Sequence, residues 1–330
     1  MPFLPLLLTW LLGVAPMVGS RTCREQSFYV MGTVATLEAC GLGEPELDKV
    51  ISLAYREIEA VDELMSLYRK ESELSRVNRQ PIDTATPLSR LTFDVLVEAL
   101  HIAEASEGAF DPTVGPLVEL WGFGSGHPAV PSPGDLAETR ARVGFQYVRL
   151  DQRSTTISLA HRGVEIDLGA IAKGYAVDRA LSLLKAAGVT KAVVDLGESS
   201  VCFFDDGDSS IPFLIRNPSP RSIAFEIHEG CVATSGSDQQ GFEVEGQWFS
   251  HILDPRTGWP VRDSISATVV GKIGQAMRAD ALATAGFVAG PEGALDVWQR
   301  FGVEGTFYFR AEGTIQSVQT PDFPVSTTVP

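Results

Sequence analysis

The sequence predicts an α+β fold of mixed, largely antiparallel sheets with helices packed against them. Long stretches of helical periodicity fall mainly in the first half of the chain. The second half is a series of short β-rich runs joined by short turns rather than by helices, which makes neighbouring strands antiparallel. At 330 residues the chain can bury a substantial core and fits one large or two intimately joined domains.

In order, Ser27–Ala39 is rich in β-formers and is predicted as a strand with Gly32 in its middle. Leu47, Val50, Ile51, Ala54, Ile58, Val61 and Met65 recur at helical spacing, so Glu46–Met65 is predicted as a helix entered through Pro45. Leu88–Ser106 is predicted as a second helix, with Thr86 as its N-cap and Pro87 in its first turn. Gly108–Gly134, rich in Gly and Pro, is predicted as an ordered loop. Strands are expected over Phe145–Leu159 and Gly163–Asp167, and a third helix over Ile171–Ala187, closed by Gly188. Then come the short strands Ala192–Leu196, Ser200–Phe204, Phe213–Arg216, Ile223–Ile227, Cys231–Thr234, Trp248–Leu253 and Ile265–Val270. A helix rich in Ala, Leu and Met follows over Ala276–Ala285, and Val303–Arg310 with Thr314–Val318 make a closing hairpin. Residues 21–319 are expected to form the working domain, and Thr320–Pro330 a loose tail.

Net charge of −16 argues against a general nucleic-acid binder and against docking on anionic lipid through a basic patch. Residues 1–20 carry no charged side chain, and Phe3–Val18 is a short apolar stretch broken by Pro5 and Pro16. With Val18-Gly19-Ser20 as an acceptable cleavage site, this is expected to be an export leader, although no Lys or Arg precedes it. Export would place the protein in the periplasm, with attachment to the inner membrane as a further option. Cys23, Cys40, Cys202 and Cys231 have no metal-ligand spacing; a disulfide is compatible with export, without its pairing being fixed. Cys23, soon after the apolar stretch, raises lipidation as a minor alternative.

No G-x-x-x-x-G-K-[ST], strand-G-x-G-x-x-G-helix, H-E-x-x-H or G-x-S-x-G is present, so common nucleotide folds and hydrolase elbows are poor fits. Chemistry concentrates elsewhere. Asp280 and Thr284 lie one helical turn apart on one face, and a carboxylate on so apolar a helix needs a cation or strong donors. Two hard oxygens at that spacing suit Mg²⁺. The plainer alternative is an Asp bonded to a loop amide and a Thr bonded back to its own helix. Asp167-Leu168-Gly169-Ala170-Ile171-Ala172-Lys173-Gly174 is a strand running into a helix, whose free amides, with Lys173, favour an anion such as phosphate. Gly108-Ala109-Phe110-Asp111-Pro112-Thr113 is a helix-ending turn. His251, one of five histidines, precedes an Asp254-Pro255-Arg256-Thr257-Gly258 turn. Tyr68 is available to stack on a ring, and Ser72, Glu73, Ser75 and Asn78 have the character of caps and turns.

Taken in order, these segments resemble the ApbE family of FAD:protein FMN transferases, over about Phe28 to Val318. The motifs run from Met31-Gly32-Thr33 through Ser66-x-Tyr68 and Ser72-Glu73-Leu74-Ser75-x-x-Asn78 to the Gly108, Asp167, Ala233-Thr234-Ser235-Gly236, Ser250-His251 and Asp280 segments. The resemblance implies a fold of the family's type and Mg²⁺-dependent cleavage of FAD. FMN would be joined by a phosphoester to a Thr or Ser of a target protein, such as a subunit of a membrane redox complex, with release of AMP. It implies FAD contacts at Met31, Tyr68, Ala109, Phe110, Asp111, Asp167 and Lys173. Mg²⁺ ligands would be Asp280, Thr284 and the backbone oxygens of Ala170 and Ala283, with His251 and Asp280 catalytic. Asp280 or Asp254 could share the role of base with His251. An FAD pyrophosphatase releasing FMN and AMP, or an exported FAD-binding protein without activity, would use many of the same residues.

Overall fold

An eight-stranded antiparallel sheet, ordered β1-β2-β6-β7-β10-β13-β14-β15, organises the chain. The computed structural model describes residues 21–324 apart from 125, 208, 216–221 and 238–239, together with Thr328–Val329. The expected leader over 1–20, and Arg216 at the end of one expected strand, lie outside the described residues.

In chain order, β1 (Cys23–Val30) and β2 (Thr33–Cys40) precede α1 (Glu44–Met65), α2 (Glu73–Asn78), β3 (Thr86–Pro87) and α3 (Arg90–Ala105). Then come α4 (Gly115–Leu120), α5 (Pro133–Arg140), β4 (Val148–Asp151), β5 (Thr156–Leu159) and α6 (Ala172–Ala186). The strand-rich part holds β6 (Lys191–Leu196), β7 (Ser200–Asp205), β8 (Ile211–Ile215), β9 (Ser222–Ile227) and β10 (Gly230–Gly236). It continues with β11 (Gly241–Val244), β12 (Gln247–Ser250) and β13 (Ser264–Gly271). The chain closes with α7 (Ala276–Phe301), β14 (Glu304–Ala311), β15 (Thr314–Gln319) and β16 (Thr328–Val329). The helix α7 is interrupted at Gly290, whose φ of 78° is left-handed, just before Pro291.

One face of the sheet is covered by α1, α6 and α7. The stripe Leu47, Ile51, Ala54, Ile58, Val61 and Met65 of α1 is buried against it, with Leu37, Val194, Phe204, Val269 and Phe307 from the strands. Full burial of each Leu or Ile contributes about 1.5–3 kcal/mol before entropy is counted. On the other face a small sheet, β16-β9-β8, supplies Phe213, Phe225 and Ile227 to a second cluster with Val193, Phe203 and Tyr308. No helix among the described residues is long and apolar enough to cross a membrane.

Several expectations are corrected. The single strand over Ser27–Ala39 is a hairpin: Met31 (φ 51°) and Gly32 (φ 74°) form its two-residue turn, a left-handed pair that suits the twist of antiparallel strands. The second helix begins later than predicted, because Ser89, not Thr86, caps it by accepting from Thr92 N, while Thr86 and Pro87 pair with β5. Within the stretch expected to be loop, α4 forms and is buried at Gly115, Pro116 and Leu117. Phe145–Leu159 is a 3-10 turn followed by the β4–β5 hairpin, and Gly163–Asp167 makes only a bridge from Glu165 to Val114. Where described, the tail is tied down rather than loose: Thr320 N donates to Gly305 O, Phe323 packs on Phe225, and β16 pairs with β9.

Both cross-strand cysteine pairs are disulfides, Cys23–Cys40 on β1–β2 and Cys202–Cys231 on β7–β10. Cys23 therefore has no free thiol to carry a lipid.

Candidate functional site

At one end of the large sheet, the start of β7 and the end of β10 meet the packed helices α6 and α7, and the β1–β2 tip lies beside the β6–β7 turn. The two helices touch at Gly174, where a Cβ would lie 2.2 Å from the Ala276 carbonyl oxygen and 2.8 Å from Asp280 Cβ. Only glycine fits so close an approach. The contact brings the Gly174 amide to Asp280, whose Oδ2 accepts from it at 2.9 Å.

Asp280 is 6% exposed. Burial pushes its carboxyl above the ordinary range, while the Lys173 charge, the Gly174 amide and Ser200 pull it back. The Ser200 hydroxyl, at the start of β7, is itself buried and, among the described residues, has no partner of ordinary hydrogen-bond geometry. One turn along α7, the Thr284 hydroxyl lies 3.0 Å from the Ser235 hydroxyl of β10. The plainer expectation is not met as stated: the amide on Asp280 Oδ2 comes from helix α6 rather than from a loop, and Thr284 turns to strand β10 rather than to its own helix.

Asp280, Thr284, Ser200 and Ser235 thus offer a carboxylate and three hydroxyls, with one hydroxyl unsatisfied. This all-oxygen set fits a hard divalent cation such as Mg²⁺. By contrast, the two places where three Cys, Asp or Glu side chains converge among the described residues each contain a disulfide, whose bonded sulfurs are no thiolate ligands. Ala170 lies in the half-buried turn before α6, where its carbonyl is free of helix geometry. Ala283 is fully buried inside α7.

His251 follows β12 directly, is half-buried, and has Nδ1 3.0 Å from the Gln240 carbonyl oxygen. A carbonyl only accepts, so Nδ1 carries the proton and Nε2 keeps its lone pair. Burial, with the Lys173 charge, lowers the His251 pKa, against the opposing pull of Gln240. The same lysine acts on His251 and Asp280, which places all three in one electrostatic neighbourhood. Asp254, a further candidate for the base, is engaged: its Oδ1 accepts from the Arg256 amide and side chain, both at 2.9 Å, and so fixes the turn.

Asp167 is half-buried, and burial raises its pKa against the pull of the Gly169 amide, which donates to Oδ1 at 2.7 Å. The segment before it is held by Asn78, whose side chain pairs with both the amide and the carbonyl of Ile166. Its own amide donates to Pro112 O, which ties it to the turn holding Ala109, Phe110 and Asp111. Asp111 is 7% exposed, and its oxygens accept from the Thr113 amide and hydroxyl and the Phe145 amide. Ala109 and Phe110 are likewise buried. These three side chains therefore shape the turn, and a ligand would meet its backbone. Met31 sits at the β1–β2 tip beside the β6–β7 turn, where Gly197 N donates to Val34 O. Tyr68 stands apart at 83% exposure, its ring open to stacking.

Ser200 and Gln240 are not among the residues singled out in the sequence. Gly174 and Ser235 lie in motifs that are, but nothing in the spacing ties Gly174 to Asp280 or Ser235 to Thr284.

Residues 31–307 match the model of the ApbE family. The FAD:protein FMN transferase of Vibrio cholerae is 36% identical over 251 residues, covering 73% of this chain and 74% of that protein. That of Treponema pallidum is 31% identical over 321 residues, covering 91% and 88%. Among solved structures, the apo flavinyl transferase ApbE of Pseudomonas stutzeri superposes with a TM-score of 0.82 at 29% identity, covering 93% of this chain and 97% of that one. The flavin transferase ApbE of Vibrio cholerae gives 0.80 at 29% identity, covering 92% and 99%.

Proposed function

The chain belongs to the ApbE family and is an FAD:protein FMN transferase; on that premise we propose that Asp280 and Thr284 hold Mg²⁺ and that His251 is the general base. The observation that carries this is the meeting of a buried carboxylate, three hydroxyls and a lysine at the α6–α7 contact, with a neutral histidine in the same field.

Bound there, Mg²⁺ would neutralise charge on the FAD pyrophosphate and on the departing AMP. The protein's own contribution is positioning. Lys173 adds a positive charge beside the phosphates. His251 Nε2 takes the proton of the acceptor Thr or Ser hydroxyl as its oxygen bonds to the FMN phosphorus. The bond from that phosphorus to the AMP oxygen breaks, and AMP departs. Because Nδ1–H is donated to Gln240, the ring is oriented with its basic nitrogen free. The Ala170 and Ala283 carbonyls would complete the cation's shell. The flavin would meet Met31, the Ala109–Asp111 backbone, Asp167 and the ring of Tyr68.

The apolar leader and the two disulfides support export to an oxidising compartment, the periplasm. There the enzyme would meet subunits of membrane redox complexes as acceptors. Incubation of enzyme, FAD and a Thr-bearing acceptor peptide with EDTA, then with Mg²⁺ added back, tests the metal assignment. AMP release should stop and resume. Undiminished release in EDTA would refute it.

A further inference from the structure

Asp280 takes an amide from α6, and a second carboxylate makes the reverse connection. Asp178, one turn beyond Gly174 on α6, accepts from the first two amides of α7: Ala276 N reaches Oδ1 at 2.9 Å and Met277 N reaches Oδ2 at 2.9 Å. The helix α7 has no cap of its own, since Gln275 at its N-cap makes no side-chain cap hydrogen bond. Its orphan amides are therefore satisfied from another helix. Asp280 lies one turn further along α7, and Thr284 one turn beyond that. The two carboxylates clasp the helices reciprocally, around the glycine that lets them touch.

We propose that Asp178 is a positioning residue for the flavin-transfer site: it sets the start of α7 against α6 and thereby aims the Asp280 and Thr284 oxygens at the cation. This rests on the metal assignment above. Nothing in the reaction requires Asp178 to touch FAD, the cation or the acceptor; its oxygens are spent on backbone amides. Its surroundings show what holding it there costs. A carboxylate oxygen and the sulfurs of the buried Cys202–Cys231 disulfide all lie within 4.8 Å of one another. Burial raises its pKa to about 6 against the two α7 amides, so at neutral pH it remains ionised and can accept from both. Asn at this position would turn an NH₂ group toward one of those amides and could cap only one.

Full-length wild type, Asp178→Asn and Ser89→Ala, titrated with Mn²⁺ in the presence of FAD and followed by the free-Mn²⁺ EPR signal and by thermal melting, test this. Ser89→Ala removes the N-cap of α3, where the Ser89 hydroxyl bonds to Glu73 and Thr92 rather than to α6 or α7, and reports what a lost cap does by itself. Asp178→Asn is expected to weaken Mn²⁺ binding about tenfold or more, as loss of a residue that orients a ligand does. Ser89→Ala should melt lower yet bind Mn²⁺ as wild type does. Asp178→Glu, which keeps the charge with a longer reach, should bind with intermediate affinity and stands in if the Asn variant does not fold. Wild-type Mn²⁺ affinity in either Asp178 variant, or equal weakening in Ser89→Ala, overturns the positioning role. Absence of Mn²⁺ binding by the wild type would bring down the metal assignment and this proposal together.

Discussion

Replacing Gly174 by Ala places a methyl group where α6 and α7 already touch. An ideal Cβ there lies 2.2 Å from Ala276 O, 2.6 Å from Ala276 C and 2.8 Å from Asp280 Cβ. Two of the three obstructing atoms are backbone, which cannot swing aside as a flexible side chain can. The helices must therefore part by about 1 Å, and overpacking of this kind costs roughly 1–3 kcal/mol. The functional cost is larger, because Asp280 moves with α7 and loses the Gly174 amide that fixes its Oδ2. A displacement of about 1 Å at a positioned group lowers rate on the order of 100-fold. Initial rates of FMN transfer to a Thr-bearing acceptor, beside a thermal melt, separate the two effects. A melting temperature lowered by a few degrees with transfer nearly lost is the expected result. Wild-type transfer by Gly174→Ala would refute the view that the α6–α7 contact sets the site.

Three further outcomes follow from the ionisable groups. With His251 as the proposed base, acting on the acceptor proton, His251→Gln should lower kcat by about 10²–10⁴-fold while leaving the KM for FAD near wild type; a large rise in KM alone would argue for a binding role. Since burial lowers the His251 pKa, its basic form persists on acidification past the ordinary value of about 6.5. The wild-type rate should hold through that pH and fall only below it, and a fall centred above it would contradict the assignment. Asp195 is raised to about 6 by burial, opposed by the Glu198 amide that it accepts at 2.8 Å. The unfolded chain releases this proton near pH 3.9 and the native state near 6, so the stabilising contribution is present at low pH and lost as pH rises through about 6. Asp195→Asn keeps the acceptor oxygen without the buried charge, and should stabilise the protein at pH 7 by on the order of 1–3 kcal/mol. A lower melting temperature for the variant at pH 7 would contradict this.

What the sequence made legible was whatever depended on neighbours within a turn or a strand. Asp280 and Thr284 share a helix face by spacing alone, and the apolar stripe of α1 follows from its periodicity. The start of α3 was misplaced because its Ser89 cap is held by Glu73, whose carboxylate accepts from the Ser89 amide and hydroxyl across a separation of sixteen residues. Nothing near Phe323 in sequence marks it as packed, because its partner, Phe225, comes from a distant strand. In the site the same division holds. Ser200 and Ser235 matter only because the sheet carries them to α7, and Asp178 is an ordinary helical residue until α7 begins against it. His251 stood out by its motif, but its tautomer is set by Gln240, which no local pattern ties to it.

We assign transfer of FMN from FAD to a protein hydroxyl to one oxygen-lined site at the α6–α7 contact. Intact mass of a Thr-bearing acceptor after incubation with FAD, Mg²⁺ and either the wild type or Asp280→Ala tests it most directly. A gain of one FMN unit with the wild type, and none with a folded Asp280→Ala protein, is predicted. Equal flavinylation by the two would contradict it.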